Sequence, residues 1–392
     1  MHPPFMSTRL RSLCFLLIPL VVSGCLPSSC NRNEPRELYA ADSLSRAHAS
    51  ALPVDTLLAL GSITGDFGHP RTIAFAPDGA LWLTDTETGR IYRIPAESPA
   101  LVRPGGRVPP AVLDFSDPAA ASATGLRPDV DRFPYLAGFA ADTALVFEPA
   151  EHMLWHVAPS GALRTVHLQG ATPLQGGLRY AAARDSMVAV KVVADDFDGY
   201  LALINARTGE IMHQTPLPGP AWQHAGLMRM PGPVVVSLSA FLPQVRQWRP
   251  DPGERPGADE RPGADERPEA GMAPADSLRL FGFDSPMLAR MRQFMLGDTH
   301  APPMLSVSAA VTEDRFYVIN MRPGWLRLDV YDRSGTLQYI LTEPRPAFNK
   351  DYYPTDIAVR ERDDGTVIIA IAVLEPEPGI DVYAWPGSGR QP

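Results

Sequence analysis

Apolar positions in this chain come in short runs cut by turn residues, and the runs alternate rather than repeat at a helical spacing. Thr72–Ala76, a turn at Asp78-Gly79, Leu81–Thr84 and Arg90–Ile94 predict three consecutive antiparallel strands. Fainter copies follow, with first strands near Leu136, Leu178, Leu227, Val307 and Ile357. A later turn recurs as Pro159-Ser160-Gly161-Ala162-Leu163, Arg207-Thr208-Gly209-Glu210-Ile211 and Arg333-Ser334-Gly335-Thr336-Leu337. Self-similarity at roughly 40–50 residues is the mark of blades set around an axis. The last unit offers only Asp356–Arg360, Val367–Val373 and Ile380–Trp385, while Val54–Ile63 is a strand without a unit. Pairing Val54–Ile63 outside Ile380–Trp385 supplies the missing strand and leaves no open edge. The pattern therefore predicts an all-β, six-bladed β-propeller over residues 54–386, closed by an N-terminal strand, with 387–392 as a tail.

Three segments break the pattern. Arg9 and Arg11 precede the apolar run Leu13–Val22, which is too short to span a bilayer and has the form of an export signal. The tetrad Val22-Ser23-Gly24-Cys25 resembles a bacterial lipobox. That resemblance implies a signal peptide over 1–24, cleavage before Cys25 and lipid on its sulfur. Leu26 stands where an aspartate would mark inner-membrane retention, so the expected place is the cell envelope, at the outer membrane of a Gram-negative bacterium. Residues 25–53, mostly polar or small, read as a lipidated cysteine and a flexible tether. Farther on, Glu254-Arg255-Pro256-Gly257-Ala258-Asp259 repeats from Glu260 and starts again at Glu266; with almost no apolar side chains, 251–275 reads as a disordered insertion between the third and fourth strands of blade four. Ser285–Gly297, with a capping Ser, Pro286 in the first turn and a closing Gly, predicts a short amphipathic helix between blades four and five.

The unit from His69 to Ile94 resembles an NHL-type propeller blade, departing from that pattern mainly in carrying Thr72 where glycine is usual. Composition fits many turns, since Pro reaches 42 of 392 residues, about twice the ordinary share of ~5%. A net charge of −9 disfavours nucleic acid as a partner, because phosphate binding needs a basic face. Of three cysteines, Cys14 leaves with the signal and Cys25 is acylated, so Cys30 alone remains and the body has no disulfide framework.

In a propeller, the loops joining second to third strands and the connections between blades share one face. Aligning the second strands puts Asp85, Glu148, Lys191 and Asn320 at corresponding ends on that face, and the connections add His69, Arg71, Tyr135, His224, Tyr352, Tyr353 and Asp356. Aromatics mixed with Arg and His suit a protein or glycan ligand. The expected function is thus that of a monomeric binding module held at the membrane by its lipid, with no cofactor and no catalytic residue. The alternative is a metal-dependent hydrolase. Gluconolactonase-like propellers resemble this chain in fold class and use carboxylates and amides around a divalent cation, a role that would fall on Asp85, Glu148 and Asn320. Their usual glutamate at the opening of the first blade has no counterpart beside His69-Pro70. No G-x-S-x-G, H-E-x-x-H, Gly-rich phosphate loop or C-x-x-C stands in the body.

Overall fold

The computed structural model describes residues 34–98, 101, 106–115, 133–168, 178–193, 199–217, 219–250, 272–322, 324–344 and 351–387. Helix α1 (Glu34–Ala51) leads into β1 (Val54–Thr56) and β2 (Leu58–Thr64). Next come β3 (Pro70–Phe75), β4 (Leu81–Asp85), β5 (Arg90–Ile94), β6 (Gly106–Arg107) and β7 (Leu113–Asp114). They are followed by β8 (Tyr135–Ala140), β9 (Thr143–Glu148), β10 (Met153–Val157) and β11 (Leu163–His167), then β12 (Leu178–Arg184), β13 (Met187–Val193), β14 (Tyr200–Asn205) and β15 (Ile211–Pro216). A shorter meander holds β16 (Met228–Arg229), β17 (Val235–Leu238), β18 (Gln244–Pro250) and β19 (Met272–Arg279). After helix α2 (Leu288–Met295) the chain makes β20 (Ser306–Val311), β21 (Arg315–Asn320), β22 (Arg327–Asp332), β23 (Leu337–Thr342), β24 (Tyr353–Glu361), β25 (Val367–Glu375) and β26 (Gly379–Trp385).

These strands form an all-β, propeller-like body of antiparallel meanders with two α-helices among the described residues. The hydrogen-bonded sheets are β3-β4-β5-β7, an eight-stranded sheet of two meanders (β8–β11 and β12–β15), β16–β19, β20–β23 with β1 outside, and β24-β25-β26-β2-β6. Six separate blades were the expectation; here two meanders are joined through their first strands, Ala183 lying beside Gly138 in parallel. Gly138 makes this possible, since a Cβ there would overlap the Ala183 carbonyl.

Six apolar clusters lie between successive meanders in cyclic order. Trp82 of β4 packs with Trp155 of β10, Leu145 with Val190, Ala189 with Val235, Val236 with Phe316, Leu328 with Ile369, and Ala370 with Leu83. Middle strands are thus covered on both faces. That is why Leu81–Asp85 and Val367–Val373 are buried throughout and read as continuous apolar runs rather than alternating ones.

The N-terminal strand pairs where the sequence analysis put it, with Leu58 opposite Ala384 and Ile63 opposite Ile380. It is split, however. The chain bends at the buried Leu57, whose N–H reaches Thr342 O at 2.8 Å, and β1 runs parallel to β23 on the neighbouring sheet. The segment therefore stitches two meanders together.

Three expectations need correction. Much of the presumed flexible tether, from Glu34 to Ala51, is helical and docks through its C-terminal half. Ser45 and Ala49 are buried, Ser45 Oγ accepts the Gly282 N–H at 3.2 Å, and His48 Nε2 meets Leu337 O at 2.9 Å. The segment is rich in Ala, Glu, Leu and Arg, all good helix formers, and its polar surface concealed a face with a tertiary partner. The insertion ends earlier than expected, because Met272–Pro274 already pair with Trp248–Pro250. Helix α2 begins at Leu288 rather than just after Ser285. Ser285 Oγ accepts the Met287 N–H, and Met291 is buried where the helix packs onto the cluster around Phe316. The signal peptide, Cys25, residues 251–271 and 388–392 lie outside the described residues. No helix among those described is long and apolar enough to cross a membrane.

Candidate functional site

Strands β4, β9 and β21 end on Asp85, Glu148 and Asn320, whereas Lys191, expected at the same place, lies two residues inside the end of β13, because that strand stays paired through Val192 and Val193; all four side chains are buried. Each is occupied by the fold. Asp85 accepts the N–H groups of Gly68 and His69 ahead of β3 and of Glu87 and Thr88 beyond β4, at 2.7–3.1 Å. Glu148 does the same in the next meander, taking the Phe133 N–H at 3.1 Å and the Ala150 N–H at 2.8 Å. Asn320 Nδ2 donates to Asp284 O at 2.9 Å and to Asp329 Oδ2 at 2.6 Å. A polar residue that ends a central strand thus fastens the loops on either side of it.

Lys191 is the unusual member. Its Nζ donates to Gly226 O at 2.9 Å and Ser237 Oγ at 2.6 Å, and lies 4.8 Å from the centre of the Tyr180 ring. Burial, reinforced by the Arg246 guanidinium, holds its ammonium pKa well below the usual value. Arg246 in turn meets the ring nitrogens of the buried His224.

The divalent-cation set fares poorly against this geometry. Asp85 and Glu148 turn their oxygens to backbone N–H groups, each in its own meander, and among the described residues no three His, Cys, Asp or Glu side chains are gathered as metal ligands. Oxygens already taken by N–H donors are poor ligands for a hard cation.

At the axis the first strands converge on Asp356. Its carboxylate accepts the Ile73 N–H at 2.8 Å, pairs with Arg229 at 2.5 Å and takes the Ser308 hydroxyl, joining four meanders at one buried group. Thr72, bonded to Thr84 at 2.6 Å, accepts the Leu136 N–H from the next meander. Tyr135 stands in the fields of Arg229, Asp356 and Arg71; burial pushes its phenol up to about 12, and its hydroxyl has no partner among the described residues. Arg71 and Tyr353 are exposed at the rim. His69 gives its backbone N–H to Asp85, while burial and Arg71 lower the pKa of its ring. Arg71, Tyr135 and Asp356 are thus brought together, with Arg229, Ser308 and Tyr180 as members the sequence analysis missed. Each of these three is a polar residue in the first strand of its meander, the signal that could have found them.

An open cavity lies on the same face, off the axis, with a volume of about 420 Å³. It sits where the β21–β22 and β25–β26 loops meet the chain ends of β2 and β23, and Ser62, Glu343, Tyr352, Val373, Glu377 and Asp381 contribute to its wall. Burial raises the Glu343 carboxyl against a hydrogen bond from the Leu326 N–H, and Asp381 raises it further. Burial also raises Asp381, whose one hydrogen bond among the described residues comes from Ser62 Oγ at 2.6 Å. Tyr352 is pushed up by burial and then by Tyr383, Asp381 and Glu343, and its buried hydroxyl has no partner among the described residues. Tyr352 was expected on this face; Glu343 and Asp381 were not, although Asp381 is a lone charge within the apolar run Gly379–Trp385.

No family model matches the chain, and no curated protein matches it. Among solved structures it is similar to the glutaminyl cyclase of Myxococcus xanthus, with 10% identity over 85% of this chain and 98% of that one and a TM-score of 0.38. The WD40 domain of Neurospora crassa Pan2 matches with 10% identity over 87% and 99% of the two chains, at a TM-score of 0.43. Virginiamycin B lyase from Staphylococcus aureus matches with 12% identity over 85% and 88%, at 0.41.

Proposed function

We propose that this protein is a lipid-anchored, six-bladed β-propeller of the NHL kind, working in the cell envelope as a binding module for a protein or glycan ligand. The observation that carries the reading is a contrast on one face. Asp85 and Glu148, the carboxylates a hydrolase would use, are occupied by backbone N–H groups, whereas the 420 Å³ cavity beside them holds Tyr352, Glu343 and Asp381 with few hydrogen bonds among the described residues. Concave sites of roughly 300–1,000 Å³ with a few convergent polar groups are the usual form of a ligand pocket. The six cyclic clusters support a reading of six blades, with the joined meanders β8–β11 and β12–β15 counted as two.

Two experiments test this. The full chain, assayed with lactones and simple esters in the presence of calcium, magnesium or manganese, is expected to show no ion-dependent turnover. A stoichiometric divalent ion, with turnover lost in Asp85→Asn, would replace the reading by the gluconolactonase-like hydrolase. For the anchor, a fatty-acid analogue should label the wild-type chain and not Cys25→Ser, which should leave the membrane fraction, since several acyl chains anchor stably where one binds marginally. Equal labelling of the two would remove Cys25 from the reading.

A further inference from the structure

We infer that the cavity between the β20–β23 and β24–β26 sheets is a site for a small organic cation, an ammonium group on a short aliphatic body. The inference rests on the binding-module reading and names the ligand class for one pocket of that face.

The wall has an acidic side and an apolar side. Glu343 at the end of β23 and Asp381 in β26 face the cavity from two meanders, Glu377 stands on the β25–β26 loop, and no Lys, Arg or His contributes to the wall among the described residues. Among the described residues neither Glu343 nor Asp381 has an ion pair, whereas Asp66, Asp78, Asp114, Asp329 and Asp356 all meet arginines. Their hydrogen bonds are few: one N–H from Leu326 and one hydroxyl from Ser62. Ionised carboxylates in a half-buried cavity without a counter-ion among the described residues weaken the fold, and a bound cation would relieve that cost.

The second observation is independent of charge. Tyr352 lines the cavity, and its buried hydroxyl has no hydrogen-bond partner among the described residues. Tyr383, Asp381 and Glu343 lie near enough to hold the phenol neutral. A ligand ammonium can donate to both carboxylates while a ring takes its charge on its face. Pro376 and Pro378, on the β25–β26 loop, offer apolar surface for the attached carbons. A metal ion is disfavoured, because these acids do not gather as a ligand set. The cavity's volume exceeds what a bare ion fills and suits a molecule of several heavy atoms.

The pH dependence has a definite sign. Burial raises both carboxyls, Asp381 raises Glu343, and Tyr352 and Tyr383 stay neutral up to high pH. A cation binds the ionised carboxylates, so its affinity should rise as pH climbs through the carboxyl range to neutrality and then level off. Without ligand, the same ionisation opposes folding. Removing either charge should therefore leave the empty protein at least as stable at pH 7.

The test uses the full chain with n-butylamine as the probe and n-butanol as its neutral twin, followed by titration calorimetry and melting. Butylamine is expected to bind at pH 7, with affinity at least tenfold lower at pH 4.5, in Asp381→Asn and in Glu343→Gln, while butanol binds at least tenfold more weakly. Both variants keep the hydrogen-bond acceptors and should melt at or above the wild type at pH 7. Equal binding of butanol, or unchanged butylamine affinity in both variants, overturns the cation site. So does a lower melting point in both variants, which would show the acids to be structural. None of these outcomes bears on lactone turnover, so the cation site and the binding-module reading fail separately.

Discussion

A chain shortened to begin at Gly65 is expected not to accumulate as a folded, soluble protein, whereas one beginning at Pro53 should fold and melt a few degrees below the full chain. The longer deletion removes β1 and β2 together with Leu57 and Ile63, both essentially inaccessible to water. Truncating a buried Leu or Ile to Ala costs about 2–5 kcal/mol each. Two such losses approach the whole stability of an ordinary domain, about 5–15 kcal/mol. The deletion also bares β26 as an unpaired edge carrying Ile380, Val382 and Ala384, and it cuts the stitch to β23. The shorter deletion removes residues 1–52, whose described part, α1 with Leu52, meets the body through a few hydrogen bonds, the Arg46–Asp284 pair and the buried Ser45 and Ala49, about 1 kcal/mol for each bond. Soluble yield and thermal melting compare the two chains. Melting at the same temperature would show that β2 does not close the body.

The second large effect belongs to Asp356. Asp356→Ala should lower stability by about 3–5 kcal/mol, the usual cost of removing one partner of a buried ion pair. Arg229 loses its carboxylate, while Ser308 and the Ile73 N–H lose an acceptor, in four meanders at once. Such a loss corresponds to a melting shift of about 4–6 °C for a chain of this size. Asp356→Asn keeps an oxygen for Ile73 and should cost less. The double variant Arg229→Met with Asp356→Ala should cost less than the sum of the two single changes, because it removes the unpaired charge. Additive losses would mean that the two groups are not coupled across the axis.

These two expectations divide along what was legible in the chain. The strands at Leu81–Asp85, Arg90–Ile94 and Val367–Glu375 could be read directly, because a strand covered on both faces must be apolar along its length and must stop at turn residues. The partnership of β2 with β26 was also readable, by the surplus of one strand at one end and the shortage of one at the other. So was the face that carries the polar groups, since it follows from where second strands end.

The roles on that face were not legible. Asp85, Glu148 and Asn320 have the residue types of a ligand set, and only the surrounding loops decide that the two carboxylates meet backbone N–H groups and that the Asn320 amide nitrogen meets Asp284 and Asp329. Helix α1 was invisible for a related reason: a short polar helix forms where a partner surface receives it, and the Gly282 N–H and Leu337 carbonyl that receive Ser45 and His48 lie far along the chain. The cavity shows the same division most clearly. Glu343, Asp381 and Ser62 belong to three distant segments that meet only once the N-terminal strand has closed against β26. The sequence by itself determined which residues are apolar and where the strands turn, because periodicity is a local property. Which polar groups are satisfied, and which are left facing open space, was decided by the tertiary structure, because hydrogen-bond partners and desolvation are set by atoms that the chain brings together from far apart.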